Sequence, residues 1–477
     1  MVARFLLIAV LAGLPLLNAC DRRSSDAKRL EVWTLALSPY FDDYLTGVFG
    51  AFEAEHPGTE VVWVDVPFDA INRKLVAAAA AGRAPDVVNL SDRDFARVAA
   101  LGGLADLDPL LADGVVERYL PGAVRGLRLN GGLRALPWYL TTQVRMANAA
   151  TLARGGLTPD TLANDWTGLR DQARAYHEET GGFLFSVPLG ETSELPMMLL
   201  SEGIRPFRET PDGLVADLTR EEVAGYVSAW VDLYREGALP RAAATRDHTH
   251  LVEGYQKGEI ALIQTGSNML GRIRDAAPDV YGETVVKPGV TGRLQRSHIA
   301  AMVVGVSGRS EHPEEAAALA AFLTSPASQT GLSKQSGVLP STPASLDDPY
   351  FAFPEGASDD PEARLTEARA TSAASLRTAV AFTPAMETWP ELRRAFNEGI
   401  KRALLGGEPT AGVLASIEAE WNRILAAARP VGPDALPPAS RVPRPLGGGV
   451  GSSVSVPTPQ GAWHPVPAAG LVLPEAA

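Results

Sequence analysis

"LEVWTLALSPYFDDYLTGVFGAFEAEHPGTEVVWVDV" (Leu30–Val66), carried on to "PDVVNL" (Pro85–Leu90), is the stretch that decides the fold. Leu30–Leu37 is apolar enough to be a buried strand. Phe41, Leu45, Val48, Phe49 and Phe52 then recur at the spacing of one helix face. His56-Pro57-Gly58 stops that helix. Glu60–Val66 is rich in β-branched residues, as a second strand would be. Asp69 suits the cap of a helix running to a stop at Gly82. Pro85–Leu90 predicts a third strand and "DRDFARVAALG" a further helix. Strands alternating with helices predict an α/β fold: a parallel sheet covered by helices on its faces, with right-handed crossovers.

Downstream the chain becomes more helical. Trp166, Leu169, Ala173 and Tyr176 form one helical stripe. Thr219–Glu222 has the pattern of a capping box opening another helix, with Val223, Val227 and Trp230 on its apolar side. Strands are predicted at Ile260–Gln264 and Ala300–Val306. Pro313, followed by Glu314 and Glu315, opens a helix with proline and acids in its first turn. The last strong helices cover 389–405 and 410–428.

The two ends differ from this body. Arg4, the apolar run Phe5–Leu17 and the small residues after it have the layout of an export signal over 1–20. The run is shorter than the ~20 apolar residues that span a bilayer. Leu17-Asn18-Ala19-Cys20 resembles the bacterial lipobox, which implies cleavage and lipidation at Cys20. Asp21 resembles the signal that keeps such lipoproteins on the cytoplasmic membrane, on its outer face. Residues 21–29 read as a flexible tether. Cys20 is the chain's one cysteine, so no internal disulfide or cysteine metal cluster is available. At the other end, 11 prolines and 7 glycines among residues 430–477 predict an unstructured tail over 429–477.

The net charge of −13 argues against nucleic acid as a partner. Sequence signatures of catalysis are missing: no phosphate-binding loop, H-E-x-x-H, C-x-x-C or G-x-S-x-G. His248 and His250 have a spacing that zinc sites use, but without further ligands they read as a solvated loop. No metal and no cofactor are expected. The tryptophans divide by setting. Trp166, Trp230 and Trp421 lie on helical apolar stripes and Trp63 within a strand, which predicts core. Trp33 is open to either role. Trp138-Tyr139 after Pro137, and Trp389 before Pro390, stand at irregular places and are candidates to meet a ligand. Sugar sites pair such rings with hydrogen-bonding groups, as ligand pockets do in general.

Several segments together resemble one family. "FEAEHPGTEVVWVDVP" and "LVAAAAAGRAPDVVNLSDRDFARVAALGGLADLDPLL" are similar to the first lobe of extracellular sugar-binding proteins of bacterial ABC importers. "ALPWYLTTQVRMANAATLARGGL", "GYQKGEIALIQTGSNML" and "RSEHPEEAAALAAFLTSPASQTGLSKQSGVLPSTPASLDDPYF" follow in that family's order. The resemblance spans about 30 to 428. It implies a type II periplasmic-binding-protein-like fold: two α/β lobes joined by a hinge, with a ligand cleft between them and no chemistry done there. On that template the first lobe is 30–137 plus 285–345, and the second 138–284 plus 346–428. The implied ligand contacts are Ser38 and Tyr40 after the first strand; Asn89, Ser91 and Asp92 at the third strand's end; Trp138, Tyr139 and Thr141 at the first crossing; Glu191; Gly266, Ser267 and Asn268, where the family often has an aromatic ring and this chain has none; and Trp389. The implied partners are a carbohydrate and the subunits of a membrane permease, with the protein acting as a monomer. A lipoprotein polysaccharide hydrolase, which needs two carboxylates flanking the scissile bond, and a sugar sensor that does not import are the alternative readings.

Overall fold

The structure, a computed structural model, describes residues 28–39, 41–67, 70–129, 131–353, 361–428 and 435–437. Cys20 with the signal, residues 21–27 of the expected tether, Tyr40, Asp69 and most of the tail lie outside the described residues; Lys28 and Arg29, expected in the tether, instead pair with Thr59 and Glu60 in the first strand. The opening stretch folds as β1 (Lys28–Leu35), α1 (Asp42–Glu55), β2 (Thr59–Val66), α2 (Ile71–Ala80), β3 (Val87–Ser91) and α3 (Asp92–Ala100). Leu45, Phe49 and Phe52 turn the predicted face of α1 into the core. The second half of the scaffold comprises β4 (Leu136–Asn148), α4 (Trp166–Thr180), β5 (Phe183–Phe185), α5 (Leu195–Ser201), α6 (Glu221–Arg235), α7 (Thr249–Gln256), β6 (Ile260–Gly266) and β7 (Thr284–Pro288). Then come β8 (Ile299–Val306), α8 (Pro313–Leu323), β9 (Leu339–Pro340), α9 (Pro361–Leu376), α10 (Trp389–Gly406) and α11 (Thr410–Ala427). Further helices, among them Pro326–Ser336, and two small hairpins fill the connections. Among the described residues no helix is long and apolar enough to cross a membrane.

The strands follow one path, β2-β1-β3-β8-β4-β6-β5, with β7 and β9 also paired to β4. β1, β2 and β3 are parallel, as predicted. β8 enters antiparallel between β3 and β4, so the sheet is mixed rather than parallel. This order is set by a strand arriving from far along the chain, which local alternation does not reveal.

β4 is the structural pivot. Its first half, to Thr142, pairs with β8, and from Gln143 onward it pairs with β6. Each end therefore belongs to a different sheet region, and each region carries its own core. One core gathers Leu30, Phe52, Val88, Trp138, Val304 and Leu319. Another gathers Trp166, Leu199, Trp230, Phe396 and Trp421. The change of partner at Thr142–Gln143 falls later than the boundary expected at 137/138. β7 bonds to Val144–Asn148 of β4, so 285–288 stay with the second region, and the return crossing falls in 289–298 rather than at 284/285.

Two local expectations are also corrected. α6 has no side-chain cap; Thr219 instead donates through both its backbone N–H and its hydroxyl to the Glu418 carboxylate, at 2.7 and 2.9 Å. A tertiary carboxylate thus replaces the local box. Leu436, placed by composition in an unstructured tail, is 4% exposed and packs into the second core. The backbone N–H of Ala385 donates to the Ala435 carbonyl at 2.8 Å beside it.

Candidate binding cleft

A cavity of about 330 Å³ opens where β4 changes partners. Thr141, Thr142 and Gln143 of β4 reach it from the first crossing, and Gln264, Thr265 and Gly266 from the end of β6. α5 and the loop before it bring Thr192, Ser193, Glu194, Met197 and Met198. The return crossing supplies Gly289, Val290, Arg296, Ser297 and His298; Phe382 and Thr383 come from a third connection, the segment 377–388 between α9 and α10, which bonds to the return crossing well beyond the boundary expected at 345/346. Asp92, at the start of α3, faces it from the first lobe.

Hydrogen bonds tie the three crossings together here. Thr142 Oγ1 donates to the His298 carbonyl at 2.9 Å. The Phe382 N–H donates to His298 Nδ1 at 3.1 Å. Val380 and Ser297–Ile299 exchange two backbone bonds, at 3.0 and 3.1 Å. Gln264 Nε2 donates to Gln143 Oε1 at 2.8 Å, while Gln264 Oε1 accepts from the Val290 N–H at 2.5 Å. Gly289 is obligatory at this point, because a Cβ there would lie 2.6 Å from the Gln143 carbonyl oxygen.

The lining is mainly neutral hydroxyls and amides over an apolar wall. Of the acids, Asp247 accepts from the Thr249 N–H and hydroxyl, and these bonds hold its carboxyl below the usual range. Behind the wall, Trp166 packs edge-on to Trp230, at 5.8 Å between ring centres. The Arg170 guanidinium lies over the rings of Tyr226 and Trp230 at 5.3 and 5.4 Å. Burial lowers its pKa and raises that of nearby Glu202.

A second compartment of about 510 Å³ adjoins the first and shares Asp92, Thr383 and Arg393 with it. α3 and α10 form its opposite sides, with Glu191 ion-paired to Lys401 at its edge.

The residues implied by the resemblance are brought together only in part. Asp92, Thr141 and Gly266 line the inner cavity. Asp92, Glu191 and Trp389 line the outer compartment. Trp389 is nevertheless 4% exposed, edge-on to Trp421 at 6.2 Å, with its indole N–H buried and unpartnered. Trp138 is 1% exposed within the first-lobe core, so it is a packing residue and not a ligand platform. The Asn89 side-chain amide donates to the Val303 carbonyl at 3.1 Å, and Ser91 caps α3. Ser38 donates its N–H to Asp65, and Tyr139 is half-buried beside Trp138. Ser267 and Asn268 turn the chain after β6. None of these six lines either compartment. His250 is also structural: Ser186 Oγ lies 3.0 Å from its Nε2, and the Asp247 carbonyl accepts from Nδ1. Among the described residues no group of three or more His, Cys, Asp or Glu is placed to hold a metal.

Residues missed by the sequence reading are Thr142, Gln143, Gln264, Met197, His298 and Phe382. The first three had a signal: polar side chains interrupt otherwise apolar strands there.

Residues 48–364 match the profile of the bacterial extracellular solute-binding proteins. A crystal structure of a "putative oligosaccharide periplasmic-binding protein" from a Synechococcus species is 33% identical, with a TM-score of 0.75, over 84% of this chain and 100% of that one. An "uncharacterized lipoprotein in oleD 5'region" of Streptomyces antibioticus is 26% identical over 307 residues, 63% of this chain and 67% of its own. Maltose-bound MalE3 of T. maritima, at 21% identity, shares the fold with a TM-score of 0.63 over 84% of this chain and 100% of that one. With its β4 pivot, its three bonded crossings and this match over most of its length, the chain belongs to the bacterial extracellular solute-binding proteins.

Proposed function

We propose that this protein captures a carbohydrate in the cleft between its lobes and presents it to a membrane ABC permease, held to the outer face of the cytoplasmic membrane by a lipid on Cys20. One observation carries the reading of the ligand. The inner cavity is lined by neutral hydroxyls and amides (Thr141, Thr142, Gln143, Ser193, Gln264) together with large apolar side chains such as Trp166, Met197 and Phe382. A sugar has that duality, with hydroxyl edges and C–H faces. The sugars named in solved relatives, maltose and α-D-tagatose among them, support the same class. Binding works by population shift: a ligand that touches both lobes favours the closed form by its extra contacts there, and the crossings absorb the motion. No chemical step is required of the cleft.

A thermal-shift screen of mono- and oligosaccharides tests the proposal. A cognate sugar at 100 times its Kd stabilises by ~2.7 kcal/mol. A screen without any shift, or new reducing ends after incubation with oligosaccharides, would defeat it. For the anchor, Cys20→Ala should shift the protein out of the membrane fraction; wild type without lipid at residue 20 by mass spectrometry refutes that part.

A further inference from the structure

The apolar wall of the inner cavity consists of Trp166, Met197, Met198, Leu251, Val290 and Phe382. All but Met197 are buried. Met197 is half-buried, at the head of α5, and packs against the cluster of Leu200, Leu294, Val380 and Phe382. It is thus the large apolar side chain that the wall presents to whatever fills the cavity. Met198 beside it turns into the second-lobe core at 4% exposure, and Met146 and Met386 are buried as deeply. Met269 and Met302 are half-buried like Met197, but neither lines the inner cavity or the outer compartment. The chain's one cysteine is at position 20, so no thiol in the folded body competes for an oxidant.

We propose that Met197 is an oxidation site that controls ligand capture: its thioether is the apolar contact for the bound solute, and its sulfoxide disables the cavity. The control of binding rests on the carbohydrate reading above; the oxidation site does not. The oxidant is hydrogen peroxide. A sulfur lone pair attacks one peroxide oxygen, the O–O bond breaks as the S–O bond forms, and the departing hydroxide takes up the transferred proton to leave as water. Sulfur is oxidised by two electrons and peroxide is reduced by two. The product is a polar group in place of a flexible apolar one. Set against Phe382 and Val380, it removes the apolar half of the site.

The full chain is treated with hydrogen peroxide and its peptides are followed by mass spectrometry. Met197 is expected to oxidise about ten-fold faster than Met146, Met198 and Met386; a rate equal to theirs overturns the site. Calorimetry with maltotriose as the probe reads the consequence. Oxidised wild type and Met197→Gln should each bind about ten-fold more weakly, with melting temperatures within a degree or so of wild type. Met197→Leu should bind normally and keep binding after peroxide. Loss of binding in peroxide-treated Met197→Leu equal to that of wild type overturns the control. A wild type that binds neither maltotriose nor any screened sugar removes the carbohydrate reading, and the oxidation site then stands or falls on the peptide map.

Discussion

Both ends of the Gln264 amide are engaged, one by Gln143 on the first crossing and the other by Val290 on the second. Gln264→Ala leaves the Val290 N–H without its acceptor beside the cavity. Such an unmade bond costs ~1–3 kcal/mol. Urea melts should show that loss, and Gln264→Glu, which keeps the acceptor, should recover most of it. Trp138 makes the contrast with a residue that only packs. Truncating a fully buried tryptophan costs ~3–5 kcal/mol, so Trp138→Ala should melt as badly as Trp230→Ala. A mild effect on stability with lost binding would return Trp138 to the ligand. His250 supplies a pH dependence. A carbonyl oxygen can only accept, so Nδ1 carries a proton towards Asp247. Burial depresses its pKa below the ordinary 6.5. The folded state therefore binds fewer protons than the unfolded one as pH falls below that value, and stability drops with it. Urea melts between pH 7.5 and pH 5 should show a shallower decline for His250→Gln than for wild type.

At the scale of elements, the crossings meet so closely that Gly289 has no room for a side chain. Gly289→Ala must push the Gln143 backbone aside. Overpacking of this kind costs ~1–3 kcal/mol, and sugar affinity should fall with the melting temperature; an unchanged variant would mean the crossings yield freely. How much of this was legible depended on range. α1, β2 and β3 were readable because their signals lie within a few residues: the face of Phe49 and Phe52, the β-branched Val61–Val64, the valines before Asn89. The insertion of β8 between β3 and β4 was not, since its partners are remote in sequence. Irregular flanks also misled. Pro137 beside Trp138 suggested an irregular place open to a ligand, yet the residue lies inside a 13-residue strand that is buried along most of its length. The Thr142–Gln143 switch shows in sequence only as polar residues in an apolar strand, a mark shared by any strand with one wet face.

Over the whole molecule, the second core extends to Leu436, past the last helix. Truncation after Ala428 removes that side chain and the bond between Ala385 and Ala435. Burying a leucine is worth ~1.5–3 kcal/mol, so this truncation should lower stability by that order, whereas truncation after Pro437 should not. Equal melting of the two would show that Leu436 contributes nothing. The position of β8 also bears on the order of synthesis. The first lobe begins with the first strand made, but β3 and β4 are joined only through β8, which includes residue 306. A chain emerging from its N-terminus therefore cannot close its first sheet until β5, β6 and β7 of the other lobe have already appeared. The earliest strands to be made are thus among the last to find all their neighbours.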